Sequence, residues 1–222
     1  MSRDRQFDFW YAVNNTHVLI LPKSRLETFG TSMVNYHLLT ELMDSPKVRV
    51  REGRIEAYRP EIITPDNFAR TALEGFGGPE ASLYLEWLRE HEKELMILKY
   101  GFAIRKQEIN DHIVSETLPV VIDQVREALA EKDDPLSAMV VGVDEPWEVC
   151  LIKLMQEVVQ QAAPQHALDL RRDPKGYRHE IEKDFSDASR DRSKISALGA
   201  KLQKLSLFEE YEDRFYALVR AR

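Results

Sequence analysis

Cysteine is nearly missing from this chain: Cys150 stands alone among 222 residues. A lone cysteine excludes an intramolecular disulfide and any cysteine-built zinc cluster within one chain, and makes the reducing cytoplasm the expected compartment. Long apolar runs are missing too. The longest extend only a few residues, against the roughly 20 that cross a bilayer. The opening residues 1–5 carry two arginines and an aspartate where a secretory signal would be apolar, so neither a membrane span nor a leader is expected. The six histidines, His17, His37, His91, His112, His166 and His179, form no H-E-x-x-H, no H-x-H and no zinc spacing with cysteine. No metal is expected on that pattern. No serine occupies a G-x-S-x-G elbow. The glycine-rich stretch Glu74-Gly75-Phe76-Gly77-Gly78-Pro79-Glu80 lacks the Lys-Ser/Thr of a phosphate loop, and Glu80 puts negative charge where an anion would sit. It reads as a turn between helices, and no organic cofactor is expected.

What is present is the composition of an ordinary soluble globular protein, with 43% hydrophobic residues and a formal charge of −7. Residues 1–168 hold 18 basic and 27 acidic side chains, and residues 169–222 hold 13 and 11. An acidic body repels a polyanion at long range, which weighs against general nucleic-acid binding.

The patterning predicts an α+β fold. Residues 7–13 and 16–21 are aromatic and β-branched runs flanking Asn14-Asn15, which predicts a hairpin over 7–22. Ser24 and Glu27 have capping-box spacing, and apolar residues up to Met43 lie around most of a helical circumference, which predicts a buried helix. Residues 47–51 and 54–59 alternate around Glu52-Gly53 and predict a second hairpin, pairing Val50 with Ile55 and Val48 with Ala57. The two hairpins together predict an antiparallel sheet covered by helices.

Further helices are predicted from Thr64-Pro65 to Gly75, from Pro79 to about Tyr100, from about Gln107 to Glu131 with a break near Thr117 before Pro119, at Asp134-Pro135, and from Asp144-Glu145-Pro146 to Ala162-Ala163-Pro164. Phe102 to Arg105 predicts one more strand. After Leu170 the composition turns to charge, which divides the chain into a globular domain, 1–168, and a helical extension, 169–222, of two amphipathic helices or one bent helix.

Three features carry functional expectations. His37 and Glu41, one helical turn apart, could act as a base and its partner in a hydrolase or transferase with a dispersed site near the Asn14-Asn15 turn. Lys47, Arg49, Arg51 and Arg54, with Tyr58 to stack on a base, would form the basic face of the 47–59 hairpin and offer a nucleic-acid-binding module as an alternative. The leading expectation comes from the extension. Ile195, Leu198, Leu202, Leu205, Phe208, Tyr211, Phe215 and Leu218 form an apolar stripe that must be covered by its own chain, a second copy or another protein. That stripe points to a non-catalytic protein-interaction or assembly protein, self-associating or binding a protein partner. Cys150 sits in an apolar stretch and reads as a buried structural cysteine.

Overall fold

Segments that carry apolar side chains on every side form the middle of a sheet. In chain order the first part of the protein contains α1 Arg3–Asn14, β1 His17–Ile20, β2 Ser32–Glu41, β3 Val48–Ala57, β4 Glu61–Ile63, α2 Pro79–Glu90, β5 Ile97–Lys99, β6 Phe102–Ile104, β7 Asn110–Val114, α3 Leu118–Lys132, β8 Ser137–Gly142 and α4 Trp147–Arg172. The computed structural model describes residues 3–43, 45–64, 79–90 and 96–220. The helix expected from Thr64-Pro65 and the glycine-rich stretch before Pro79 lie outside the described residues.

The fold is α+β, with a mixed sheet rather than two antiparallel hairpins. Its order is β1-β8-β2-β3, with β6 and β7 both pairing on the outer side of β3. β2 and β8 run parallel, and the other pairs in this sheet are antiparallel. A separate two-stranded ribbon joins β4 to β5.

The first predicted hairpin is absent. Residues 3–14 are helical, closed by the Asn15 side-chain amide donating to the Tyr11 carbonyl and by the Lys153 ammonium donating to the carbonyls of Val13 and Thr16. Only His17–Ile20 is a strand, paired to β8 with a register shift between Val18 and Ile20. The predicted helix up to Met43 is β2 instead. A central strand with both faces covered shows apolar residues all round, as a buried helix does, and periodicity does not separate the two.

The second hairpin is also corrected: β3 passes straight through Glu52-Gly53, in unbroken register with β2 from Ser32 against Ala57 to Glu41 against Val48. Its apolar residues change face halfway along. Val48 and Val50 pack with Leu39 and Met139 against Val121 and Leu129 of α3. Ile55 and Ala57 pack on the opposite face with Tyr36, Leu38 and Val140 against Leu151, Leu154 and Val158 of α4. A turn and a through-strand covered diagonally by two helices give the same one-residue change in alternation.

Other boundaries shift for local reasons. The break expected near Thr117 is the start of α3, with Thr117 at the N-cap and Pro119 in the first turn, but the preceding residues form β7. Asp134 lies in the link before β8 and starts no helix, and its carboxylate accepts from the Leu136 amide. α4 runs on through Pro164.

The chain separates into two units, Met1–Leu168 and Asp169–Arg222. The second holds three helices past its start, α5 Tyr177–Arg190, α6 Ile195–Lys204 and α7 Phe208–Arg220, in place of the two predicted. The Asp173 carboxylate accepts the Tyr177, Arg178 and His179 amides and so caps the orphan donors of α5. Ile181, Phe185 and Ala188 of α5 and Leu198 and Leu202 of α6 form this unit's own core. Lys201 bridges Glu180 and Asp184, which hold its ammonium above the usual lysine range.

Candidate functional site

The face of the sheet under α3 changes character where the helix ends. Beneath the helix lie Leu39, Val50 and Met139. One step along the same strands come His37 and Glu52, and two residues further Asn35, Arg54 and Ser137, paired side by side across β8, β2 and β3. Asn110 of β7 extends the His37 row beyond Glu52. Lys132 at the end of α3, Asp134 in the link to β8, and Glu108 complete the walls of a polar cavity of about 420 Å³. That volume falls within the roughly 300–1,000 Å³ of small-molecule sites.

His37 is buried, only 9% exposed. Its Nδ1 lies 2.8 Å from Glu52 Oε1, so the carboxylate of Glu52 is the group that meets the ring on that side. Burial holds the imidazole below its ordinary range despite the pull of Glu52, with Lys132 pushing in the same direction as burial. The ring is therefore neutral at neutral pH, as a proton acceptor must be.

The unfolded chain takes a proton at His37 more readily than the folded chain does. Stability from this group is complete above the ordinary value of 6.5 and falls as pH drops from there through the lowered folded value. His37→Gln is expected to flatten that decline in urea titrations run from neutral pH to about pH 5.

Asp134 is committed to architecture. Its carboxylate accepts from the Leu136 amide at 3.0 Å, from the Ser137 hydroxyl at 2.9 Å and from the Asn35 amide, and these bonds hold it below the usual carboxylate range.

The residues singled out from sequence are distributed differently. His37 and Glu41 sit on one strand face about 13 Å apart at strand rise, not one helical turn apart. Glu41 is exposed beside Leu42, Met43 and Pro46, and the acid that meets His37 is Glu52. The Asn14-Asn15 turn is not among the lining residues of the cavity.

The basic face does not assemble. Arg49 and Arg51 point toward the α4 side and Arg54 toward the α3 side, since odd and even positions of a through-strand face oppositely. Arg49 and Arg51 are neutralised by Asp111 and Asp144, and Arg51 is only 4% exposed. Lys47 precedes the strand, and Tyr58 is 44% exposed with its hydroxyl on Glu56.

The apolar stripe is consumed inside its own unit. Leu198 and Leu202 are core residues, and Ile195, Leu205, Phe208, Tyr211, Phe215 and Leu218 pack around them. Of the three expected covers, its own chain, a second copy or another protein, α5, α6 and α7 supply the first, with Leu198 and Leu202 buried and the other six residues partly buried.

Cys150 is fully buried with the Thr16 hydroxyl 3.2 Å from its sulfur. An apolar groove of about 550 Å³ lies between β6 and α4, lined by Phe102, Ile104, Ile152 and Met155 among others. The phenol at its edge, Tyr100, is already engaged by His166 at 3.0 Å. The larger cavity thus offers area, and the smaller one offers chemistry.

Sequence reasoning missed Glu52, Asn110, Lys132 and Asn35 because their meeting depends on strand register. The one available signal was the change of alternation at Glu52-Gly53, read as a turn.

Among the described residues no three His, Cys, Asp or Glu side chains are grouped to hold a metal ion, and no helix is long and apolar enough to cross a membrane. A scan against protein-family models, a search of curated proteins and a search of solved structures each found no match.

Proposed function

We propose that this chain binds a small polar metabolite in the cavity beyond α3, with His37 and Glu52 as an acid–base pair facing it. The observation that carries this reading is the change from apolar to polar on one continuous sheet face, which leaves a buried histidine against the Glu52 carboxylate at a cavity. A structural sheet face would stay apolar or become plainly solvated. The reactions such a pair serves are hydrolysis and group transfer, in which a neutral imidazole takes a proton from water or from an incoming nucleophile, and the carboxylate beside it steadies the resulting imidazolium.

A thermal-shift screen of the full chain against sugars, polyols, phosphates, carboxylates and amino acids tests it. A ligand at 100 times its dissociation constant adds about 2.7 kcal/mol of stability. The expected result is a raised melting temperature that is lost in His37→Gln and in Glu52→Gln. A screen with no stabilising compound, or a shift that survives in both variants, removes the reading.

Assembly through the C-terminal helices is a second reading, moved from the stripe to the outer side of α7. Tyr216 and Val219 there are 43% and 42% exposed. They lie one turn apart on the helix. Sedimentation of the full chain beside Tyr216→Glu decides it: a wild-type monomer ends this reading.

A further inference from the structure

The charges lining the cavity sort into those the chain already satisfies and those it leaves open. Asp134 is saturated by the Leu136 amide, the Ser137 hydroxyl and the Asn35 amide. Arg54 and Glu108 close on each other at 3.5 Å. Two charged groups remain. Lys132, exposed in the last turn of α3, makes no hydrogen bond or ion pair among the described residues. Glu52 meets the neutral His37 ring at 2.8 Å and takes a 3.4 Å bond from the Asn110 amide, but pairs with no lysine or arginine among the described residues, and its side chain is 35% exposed.

One open cation and one open carboxylate in a single cavity call for a ligand carrying the opposite pair. We propose that the ligand is a small zwitterion of the amino-acid type, its carboxylate paired with Lys132 and its ammonium received by Glu52. This rests on the ligand-site reading above and adds the charge class. A singly charged compound would leave either Lys132 or Glu52 without a counter-charge as the cavity loses water, and a neutral one would leave both so. The place of Lys132 fits the role. A helix C-terminus presents the negative end of the backbone dipoles, which favours a cation there without a carboxylate partner. Asn110, beside Glu52 on the neighbouring strand, can turn its amide oxygen to the same ammonium.

Isothermal titration of the full chain with three matched probe sets tests the proposal: amino acids, the 2-hydroxy acids that lack the ammonium, and the amines that lack the carboxylate. The expected result is binding of at least one amino acid, with its two analogues weaker by about tenfold or more, the worth of one charge-assisted bond. Lys132→Gln and Glu52→Gln should each weaken the amino acid by a similar factor. Both side chains reach solvent, so the variants should fold, and unchanged tryptophan fluorescence checks this. An analogue that binds as tightly as the amino acid, or undiminished binding in Lys132→Gln, overturns the zwitterion and leaves the ligand site standing. Silence from all three sets also overturns it. The broader thermal-shift screen then shows separately whether the site takes any ligand.

Discussion

Arg51→Ala is expected to lower the stability of the first unit by about 3 kcal/mol, the low end of the cost of breaking a buried ion pair from one side. The guanidinium is 4% exposed and makes several contacts at once. Its Nε lies 3.0 Å from Asp111, one terminal nitrogen lies 3.0 Å from the Asp144 carboxylate and donates to the Asp144 carbonyl at 3.2 Å, and its plane sits 5.3 Å from the centre of the Trp147 ring. Truncation removes all of these and leaves a hollow beneath Trp147. The loss is held to the low end because Asp111 is 42% exposed and Arg49 remains to pair with both carboxylates. Arg51→Lys keeps the charge but cannot fork between two acids, and should cost about 1–2 kcal/mol. Urea titration followed by tryptophan fluorescence isolates the effect, since Trp10, Trp87 and Trp147 all belong to the first unit. A loss well under 1 kcal/mol for the alanine variant would mean that Arg49 and water suffice for the two acids.

Signals confined to one short stretch were readable before the structure. Pro146 before Trp147 marks the start of α4 and Pro79 opens α2, because caps and proline act within one turn of chain, whereas Pro119 shows as a break in a longer helix and not as the first turn of α3. The residues of the C-terminal stripe were readable as a set that must be buried, though not what would bury them. Features requiring register were not readable. β2 looked helical because α4 covers Val34, Tyr36 and Leu38 while α3 covers Leu39, so no face was left polar enough to show a period of two. His37 seemed to belong with Glu41 four residues on, whereas its partner is fifteen residues away and directly opposite on β3. Local spacing ranks the first pairing above the second, and only the strand alignment reverses that order. The polar cavity is a product of three such alignments, β8 on β2, β2 on β3 and β3 on β7.

Gly53→Ala is expected to cost about 1–3 kcal/mol, although alanine suits a strand better than glycine in the absence of contacts. Gly53 and Tyr36 are cross-strand partners, and the tyrosine ring lies over the glycine. A methyl group built there would stand 2.7 Å from the phenol oxygen and 2.9 Å from the ring carbon that bears it. Tyr36 cannot step aside, since it is fully buried in the core formed with Leu38, Ile55 and Ala138. Its hydroxyl has no hydrogen-bond partner, and burial raises its pKa to about 12 against the opposing pull of Arg51. Tyr36→Phe should therefore stabilise the unit by about 1 kcal/mol, because an unsatisfied buried hydroxyl is removed at nearly constant shape. The two changes should not add. Phenylalanine clears the oxygen contact but keeps the ring, so the cost of Gly53→Ala should shrink without vanishing in the Tyr36→Phe background, a coupling of about 0.5 kcal/mol or more. If that cost is the same in both backgrounds, the hydroxyl is not what the methyl meets, and the requirement for glycine at 53 lies in the strand itself.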